Sequence, residues 1–129
     1  MIVVGYTPDK FGAAALEHGI AEAKFRNTGL KVVNTSTGDS LADPRFADSE
    51  AVTELHATLD RSGVEYVLDQ AVVPDTVDAL LTVMDGDDAD VLVIGIRHRS
   101  AVGKLLMGSS AQQLLLSCPK PVLAVKPPR

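Results

Sequence analysis

A loop of glycine, basic and hydroxyl residues spanning 95–110 carries the residue types best suited to chemistry. Gly95 directly follows the aliphatic run 91–94, and a glycine at the end of a strand lets the backbone turn tightly and approach a ligand. Gly108 opens a predicted helix, whose first free N–H groups and positive dipole end can hold a phosphate. The pattern predicts an anion site, although a plain turn and a plain helix cap would account for its parts separately.

Side chains within the loop add hydrogen-bond donors and positive charge. Ser109 and Ser110 place two hydroxyls at the start of the predicted helix. The bases of the loop are Arg97, Arg99 and Lys104. The loop is not a Walker A motif, because Leu105 occupies the position at which a Ser or Thr would hold Mg²⁺. The GxGxxG pattern is absent as well.

Charge is distributed unevenly along the chain. The formal net charge is −5, and all 17 acidic residues lie between Asp9 and Asp90. Residues 96–129 contain six bases and no acid, so an anion site built from this last third is the main prediction. For any one of these six bases, the alternative is that it is solvated or pairs with an acid elsewhere in the chain. The net negative charge and the aromatic content of 4% argue against nucleic acid as a partner.

Catalytic and metal-binding patterns are weak outside the loop. The histidines, His18, His56 and His98, have no metal-ligand spacing, and the acids within 85–90 are typical of a solvated turn. The single cysteine, Cys118, precedes a proline at a predicted helix end, which favours a structural thiol over a nucleophile. We therefore expect no metal site and no enzyme activity beyond, at most, weak ATP hydrolysis.

Length and composition predict one globular domain over residues 1–129, with 46% apolar residues to form its core. The apolar runs are too short for a membrane span and no signal peptide is recognisable, so we expect a cytoplasmic protein without a membrane partner.

Strands and helices alternate along the sequence. Apolar runs predict five strands, at 2–5, 30–34, 64–68, 91–94 and 121–125. Cap and stop signals predict four helices, starting near Asp9, Asp48 or Ser49, Pro74 and Ser109. The inward face predicted for the first helix consists of Ala13, Leu16, Ile20 and Ala23. This βαβαβαβαβ order predicts an α/β fold with a parallel five-stranded sheet and helices on both faces.

Ligands of such sheets bind beyond the carboxyl ends of the strands, where the strand order reverses. The relevant loops follow Gly5, Val33 and Ile94. The last strand is apolar and would form an exposed sheet edge, which a symmetric dimer would cover.

The loop resembles the signature of the universal stress protein family, G-x2-G-x9-G-[S/T]. Gly95, Gly108 and Ser109 fit that spacing, with nine residues between His98 and Gly108. The segment Pro121–Lys126 is similar to the closing strand of the family, and the resemblance covers essentially the whole chain.

The resemblance implies a Rossmann-like, adenine nucleotide α-hydrolase-like sheet with strand order 3-2-1-4-5. It also implies a homodimer through residues 121–126 and a stress-response role with bound ATP or another adenine nucleotide, with Mg²⁺ as a companion ion. Family members that bind no nucleotide leave a second interpretation open, a dimeric interaction module. An enzyme of the related α-hydrolase type is a third, for which the sequence offers no catalytic group.

Carried over by position, the family's nucleotide site falls on eight residues. They are Thr7, Thr35, Gly95, Arg97, His98, Gly108, Ser109 and Ser110. Two of these depart from the family pattern. His98 stands at the second motif glycine, where a left-handed backbone would be strained by about 1 kcal/mol. Thr7 stands near the adenine where an acidic residue is common, and its hydroxyl could still meet a base edge.

Overall fold

A computed structural model describes residues 1–38, 46–97 and 108–128. Strands and helices alternate throughout these residues. The strands are β1 Ile2–Gly5, β2 Leu30–Ser36, β3 Tyr66–Val72, β4 Val91–Gly95 and β5 Val122–Val125. The helices are α1 Lys10–Arg26, α2 Ser49–Ser62, α3 Thr76–Met84 and α4 Ser109–Ser117.

The strands form one parallel sheet in the order β3-β2-β1-β4-β5, which confirms the predicted order. β1 is central, and Val4 pairs with Val32 of β2 on one side and with Val93 of β4 on the other. The chain order reverses on the two sides of β1, so a crevice opens beyond the carboxyl ends of β1 and β4. The helix that follows each strand begins at this same edge of the sheet.

Each face of the sheet has its own hydrophobic cluster. Leu16 of α1 and Leu55 of α2 belong to the first, together with the side chains that β1 and β2 direct to that face. Leu80 of α3 and Leu114 of α4 belong to the second cluster. Helices therefore cover both faces, as the continuous apolar strands predicted.

The inner face of α1 differs from the predicted one. Of the four residues predicted to point inward, Leu16 and Ala23 are buried and Ile20 packs half-buried against the core, whereas Ala13 is exposed. The buried face also includes small residues that the prediction left out, Gly12, Ala15 and Gly19. A Cβ on Gly19 would lie 2.3 Å from Cγ2 of Val4, so the absence of a side chain lets α1 lie directly on the central strands. A pattern of apolar side chains does not mark the glycines of this face.

Two strands extend beyond their predicted ends. β2 continues to Ser36, into the stretch predicted as loop, and β3 runs from Tyr66 to Val72 instead of from Val64 to Leu68. The two strands pair along seven positions, and this pairing continues through Asp69 and Gln70, where the apolar pattern of the sequence has already ended.

The helix caps agree better with the sequence. Asp9 and Asp48 cap α1 and α2 through their side chains, and Gly63 ends α2 in the left-handed conformation. No helix among residues 1–38, 46–97 and 108–128 has the length and apolar character needed to cross a membrane.

Candidate ligand-binding site

A cavity of about 190 Å³ lies in the crevice between the carboxyl ends of β1 and β4. Its hydroxyl-bearing lining residues are Tyr6, Thr7, Thr35, Thr76 and Ser110. Its apolar lining residues are Phe11, Val33, Leu80, Ile94, Ala111 and Leu114, and its glycines are Gly5, Gly12 and Gly95. No described residue of the lining carries a charge, so the cavity offers apolar walls and hydrogen-bonding hydroxyls.

The glycines of the cavity wall allow α1 to approach the sheet. A Cβ on Gly95 would lie 2.2 Å from the carbonyl oxygen of Phe11, at the start of α1. A Cβ on Gly12 would lie 1.7 Å from the carbonyl oxygen of Thr7. Backbone atoms cannot yield at these distances, so both positions require glycine. The sequence explained Gly95 by the approach of a ligand, and the structure adds helix packing as a sufficient reason.

Asp9 caps the N-terminus of α1. Its Oδ1 accepts hydrogen bonds from the backbone N–H groups of Phe11 and Gly12, at 3.0 Å each. The same oxygen accepts a hydrogen bond from Oγ1 of Thr7, at 2.7 Å. The end of α1 that borders the cavity is thus already neutralised by a carboxylate.

The N-terminus of α4 has a different character. Its N-cap residue is Gly108, and no side chain hydrogen-bonds to its first N–H groups within the described residues. A Cβ on Gly108 would lie 3.8 Å from Nη2 of Arg97, so the guanidinium group lies beside this helix end. Ser109 and Ser110 are exposed in the first turn. N–H groups that have no side-chain cap among the described residues, the helix dipole and a guanidinium group together favour an anion here.

An amide network holds the carboxyl end of β2 next to β1. The buried Asn34 donates from Nδ2 to the carbonyl oxygen of Tyr6, at 2.9 Å. Its Oδ1 accepts from the backbone N–H of Ala47 and from Nε2 of Gln70. Burial, followed by the negative charges of Asp9 and Glu54, raises the pKa of Tyr6 above its ordinary value.

The structure brings together most of the residues that the sequence assigned to a nucleotide. Thr7, Thr35, Gly95 and Ser110 line the cavity. Gly108 and Ser109 form the adjoining start of α4, with Arg97 beside them. The other predicted member, His98, lies outside the described residues, as do Arg99 and Lys104.

Sequence reasoning missed several wall residues, of which Thr76 and Phe11 are the clearest. Both lie in the first turn of a helix that follows a strand. In a parallel α/β sheet every such turn lies at the carboxyl edge, so element order alone could have nominated them.

Other candidate groups have structural roles. Lys120, one of the six bases of the last third, donates from Nζ to the carbonyl oxygens of Gly86 and Ala89. His56 hydrogen-bonds through Nδ1 to the Tyr66 hydroxyl, at 2.9 Å. Cys118 is half-buried at the end of α4. Among the residues with described positions, no three His, Cys, Asp or Glu side chains are grouped as metal ligands would be.

The family model named Universal stress protein family matches residues 1–126. The chain belongs to the universal stress protein family. A universal stress protein of Mycolicibacterium smegmatis is 61% identical over 127 residues, which is 98% of this chain and 98% of that protein.

Solved universal stress proteins are similar in fold. One, solved in complex with cAMP, has a TM-score of 0.71 and 22% identity, over 98% of this chain and 96% of that chain. Another, from Archaeoglobus fulgidus and in complex with dAMP, has a TM-score of 0.64 and 24% identity, over 97% and 95% of the two chains. Together with the strand order, these likenesses confirm the predicted adenine nucleotide α-hydrolase-like fold.

Proposed function

We propose that this universal stress protein binds an adenine nucleotide, with its base in the cavity and its phosphates at the N-terminus of α4. It acts in the cytoplasm as a stress-response binding protein, and ATP is the ligand we favour, with Mg²⁺ as a companion ion. The observation that carries the proposal is the start of α4, uncapped by any described side chain, with Arg97 beside Gly108 and with Ser110 of its first turn in the cavity wall.

The cavity supports a flat, largely apolar group such as a purine base. Val33 and Leu80 are among its apolar walls, and Thr7, Thr35 and Thr76 supply hydroxyls to hydrogen-bond polar atoms of a base or ribose. The absence of charge in the described lining fits a neutral base and not a second phosphate.

The start of α4 supports the phosphate part of the ligand. Asp48 caps α2 and Asp75 caps α3 through their side chains, as Asp9 caps α1. Only α4, of the helices described here, begins without such an interaction, and its first turn includes Ser110 of the cavity wall. A phosphate can accept hydrogen bonds from these N–H groups and pair with Arg97. The dAMP and cAMP complexes of the fold neighbours are consistent with a ligand of this class.

The most direct experiment is mass spectrometry of small molecules released from freshly purified protein by denaturation. We expect an adenine nucleotide, and calorimetric titration with ATP, ADP, AMP and cAMP, with and without Mg²⁺, would rank the candidates. Gly108→Asp should abolish binding, because its carboxylate would occupy the helix end and repel the phosphate. Gly108→Ala is the matched control, since no described atom lies closer than 3.8 Å to the added methyl group. Unchanged binding by Gly108→Asp would refute the phosphate site.

A nucleotide-free dimeric interaction module is the alternative, and the edge of the sheet favours its dimeric part. β5 is an edge strand whose residues 122–124 are only half-buried, and Leu116 of the adjacent α4 is 79% exposed. Strand pairing of two copies through residues 121–126 would provide hydrogen-bond partners for the backbone groups at this edge. Sedimentation at micromolar concentration should show a dimer, and a monomer would count against it. No thermal shift with any adenine nucleotide would favour the module over the nucleotide-binding proposal.

A further inference from the structure

An open groove lies between α1 and α2, on the face of the sheet opposite α3 and α4. Its volume is about 330 Å³, and among the described residues it shares only Tyr6 with the cavity beyond β1 and β4. α1 packs chiefly on β1 and β4, and Gly19 lets it lie directly on Val4. The space between α1 and α2 is therefore left open, and it forms the surface that we call the α1–α2 groove.

The lining of the α1–α2 groove is mainly apolar. Leu16 of α1 and Leu55 of α2 contribute to it as buried residues, and Ile20 is half-buried. Ala13 also lines the groove, and it is exposed, so its small side chain leaves the space unfilled. A large apolar side chain from a partner would here remove apolar surface from water that neither helix covers.

Two carboxylates belong to the same lining, one from each helix. Glu17 of α1 and Glu54 of α2 are exposed, and neither forms an ion pair with another described residue. The positions three and four residues away from each glutamate hold Ala, Ile, Thr and Glu50, none of which is a cation. Glu22, in contrast, pairs with Arg26 of its own helix. The groove thus presents negative charge that the described residues leave uncompensated.

Tyr6 shows that this negative potential extends into the groove. Burial raises its pKa most, and the charges of Asp9 and Glu54 raise it further. The potential opposes nucleic acid and an anionic lipid surface as occupants. It also opposes a second copy of this chain, because a symmetric contact would place the same acids opposite each other. The charge complementary to this groove is positive.

We propose that the α1–α2 groove docks a partner protein through a basic amphipathic segment. A large apolar side chain of that segment enters the groove beside Leu16 and Leu55, and flanking Lys or Arg side chains pair with Glu17 and Glu54. This mode combines buried apolar area with charge-assisted hydrogen bonds at the rim. It goes beyond nucleotide binding, since no residue of α4 or β5 lines the groove within the described part of the chain.

A labelled synthetic peptide with an amphipathic pattern of Leu and Lys is the probe, titrated with the full chain and followed by fluorescence anisotropy. We expect binding, and binding weaker by about tenfold or more for two analogues, one with Gln in place of Leu and one with Glu in place of Lys. No binding of the Leu–Lys peptide would overturn the proposal. Equal binding of the Gln analogue would overturn it too, because net charge alone would then account for the affinity.

Ala13→Lys supplies from within the chain the cation that the proposal assigns to the partner. The new side chain would lie one turn before Glu17 and enter the groove, so affinity for the Leu–Lys peptide should fall about tenfold. His18→Lys is the matched control, because His18 is exposed on the same helix and does not line the groove. This control adds the same charge and should keep the affinity within about twofold. Equal losses in the two variants would exclude the groove as the docking site.

Removing the carboxylates gives an independent measurement. Glu17→Gln combined with Glu54→Gln should lower affinity for the Leu–Lys peptide about tenfold. Glu65→Gln combined with Asp87→Asn removes the same net charge from exposed positions that directly precede β3 and β4, at the opposite edge of the sheet, and should leave affinity nearly unchanged. A loss of the same size in this control pair would refute the assignment of the two glutamates.

Discussion

Two helix N-termini border the same cavity, and they differ in what already occupies them. α1 begins with Asp9, which accepts from two backbone N–H groups and from Thr7. α4 begins with Gly108, without a side-chain cap among the described residues and with Arg97 close by. Both ends have the same dipole, yet one is neutralised from within the chain and the other is open to an anion. Position at the sheet edge therefore does not distinguish the two helix ends, and the cap residue does.

The largest expected effect is a difference in stability between two variants, each of which adds one methyl group at one of these helix ends. Gly12→Ala would place Cβ on the Thr7 carbonyl and force α1 away from the sheet, which we expect to lower the free energy of unfolding by about 3 kcal/mol. For Gly108→Ala the nearest described atom lies 3.8 Å from the added Cβ, so the change should cost only the roughly 1 kcal/mol by which alanine is the poorer N-cap residue. Urea denaturation of the two variants measures the difference. Equal stabilities would mean that α1 is not held as tightly as this geometry requires.

Next in size is the effect of Arg97→Gln on the ligand. We expect ATP affinity to fall about tenfold, since a charge-assisted hydrogen bond to phosphate is lost, and adenosine affinity to stay unchanged. Titration calorimetry with both ligands gives the two values, and Thr7→Val is the complementary variant that should weaken adenosine as well. A parallel loss of adenosine binding in Arg97→Gln would place the guanidinium group at the base and not at the phosphates.

The cap of α1 itself should have a moderate effect on stability. Asp9→Ala removes the acceptor of two helix N–H groups, and we expect a loss of about 1 kcal/mol in the free energy of unfolding. Asp9→Ser should retain most of it, because serine is an equally good N-cap residue. Thermal or urea unfolding distinguishes them. A Ser variant as unstable as the Ala variant would show that the carboxylate does more than cap the helix.

The smallest effect concerns the cap that α4 lacks. Gly108→Ser should stabilise the protein by only a few tenths of a kcal/mol, because glycine is itself tolerated at the N-cap position. Its N-cap backbone already has extended dihedral angles, φ −61° and ψ 156°, which serine adopts readily. A stabilisation above about 1 kcal/mol would indicate that the N–H groups of α4 are less well solvated than their exposure implies.

Some features of the candidate site could be predicted because they depend on a few neighbouring residues. The spacing from Gly95 to Gly108 and Ser109 identified the family, which the match over residues 1–126 confirms. Asp9 was predicted as the cap of α1, and Asp48 or Ser49 as the cap of α2, from residue type and position; the structure has Asp9 and Asp48. The bounds of β4 followed within one residue from its continuous aliphatic run.

Other features depend on contacts between distant parts of the chain and were missed. The glycines on the inner face of α1 were not predicted, since an apolar pattern cannot show how closely β1 and β4 approach the helix. The extensions of β2 and β3 pair with each other, and the apolar pattern of neither segment predicts its extension. His98, which the sequence indicates as a departure from the family motif, lies outside the described residues.

Sequence alone determined the element order, the side-chain caps of α1 and α2 and the loop motif, because these follow from interactions within one helical turn or one strand. Tertiary structure decided which strand and helix ends lie next to each other. It brought α1 and α4 to opposite sides of one cavity, made Gly12 and Gly95 points of backbone contact, and bound the Thr7 hydroxyl to Asp9. Such contacts join residues on separate strands and helices, and the order and packing of the sheet select them from many alternatives that local patterns permit.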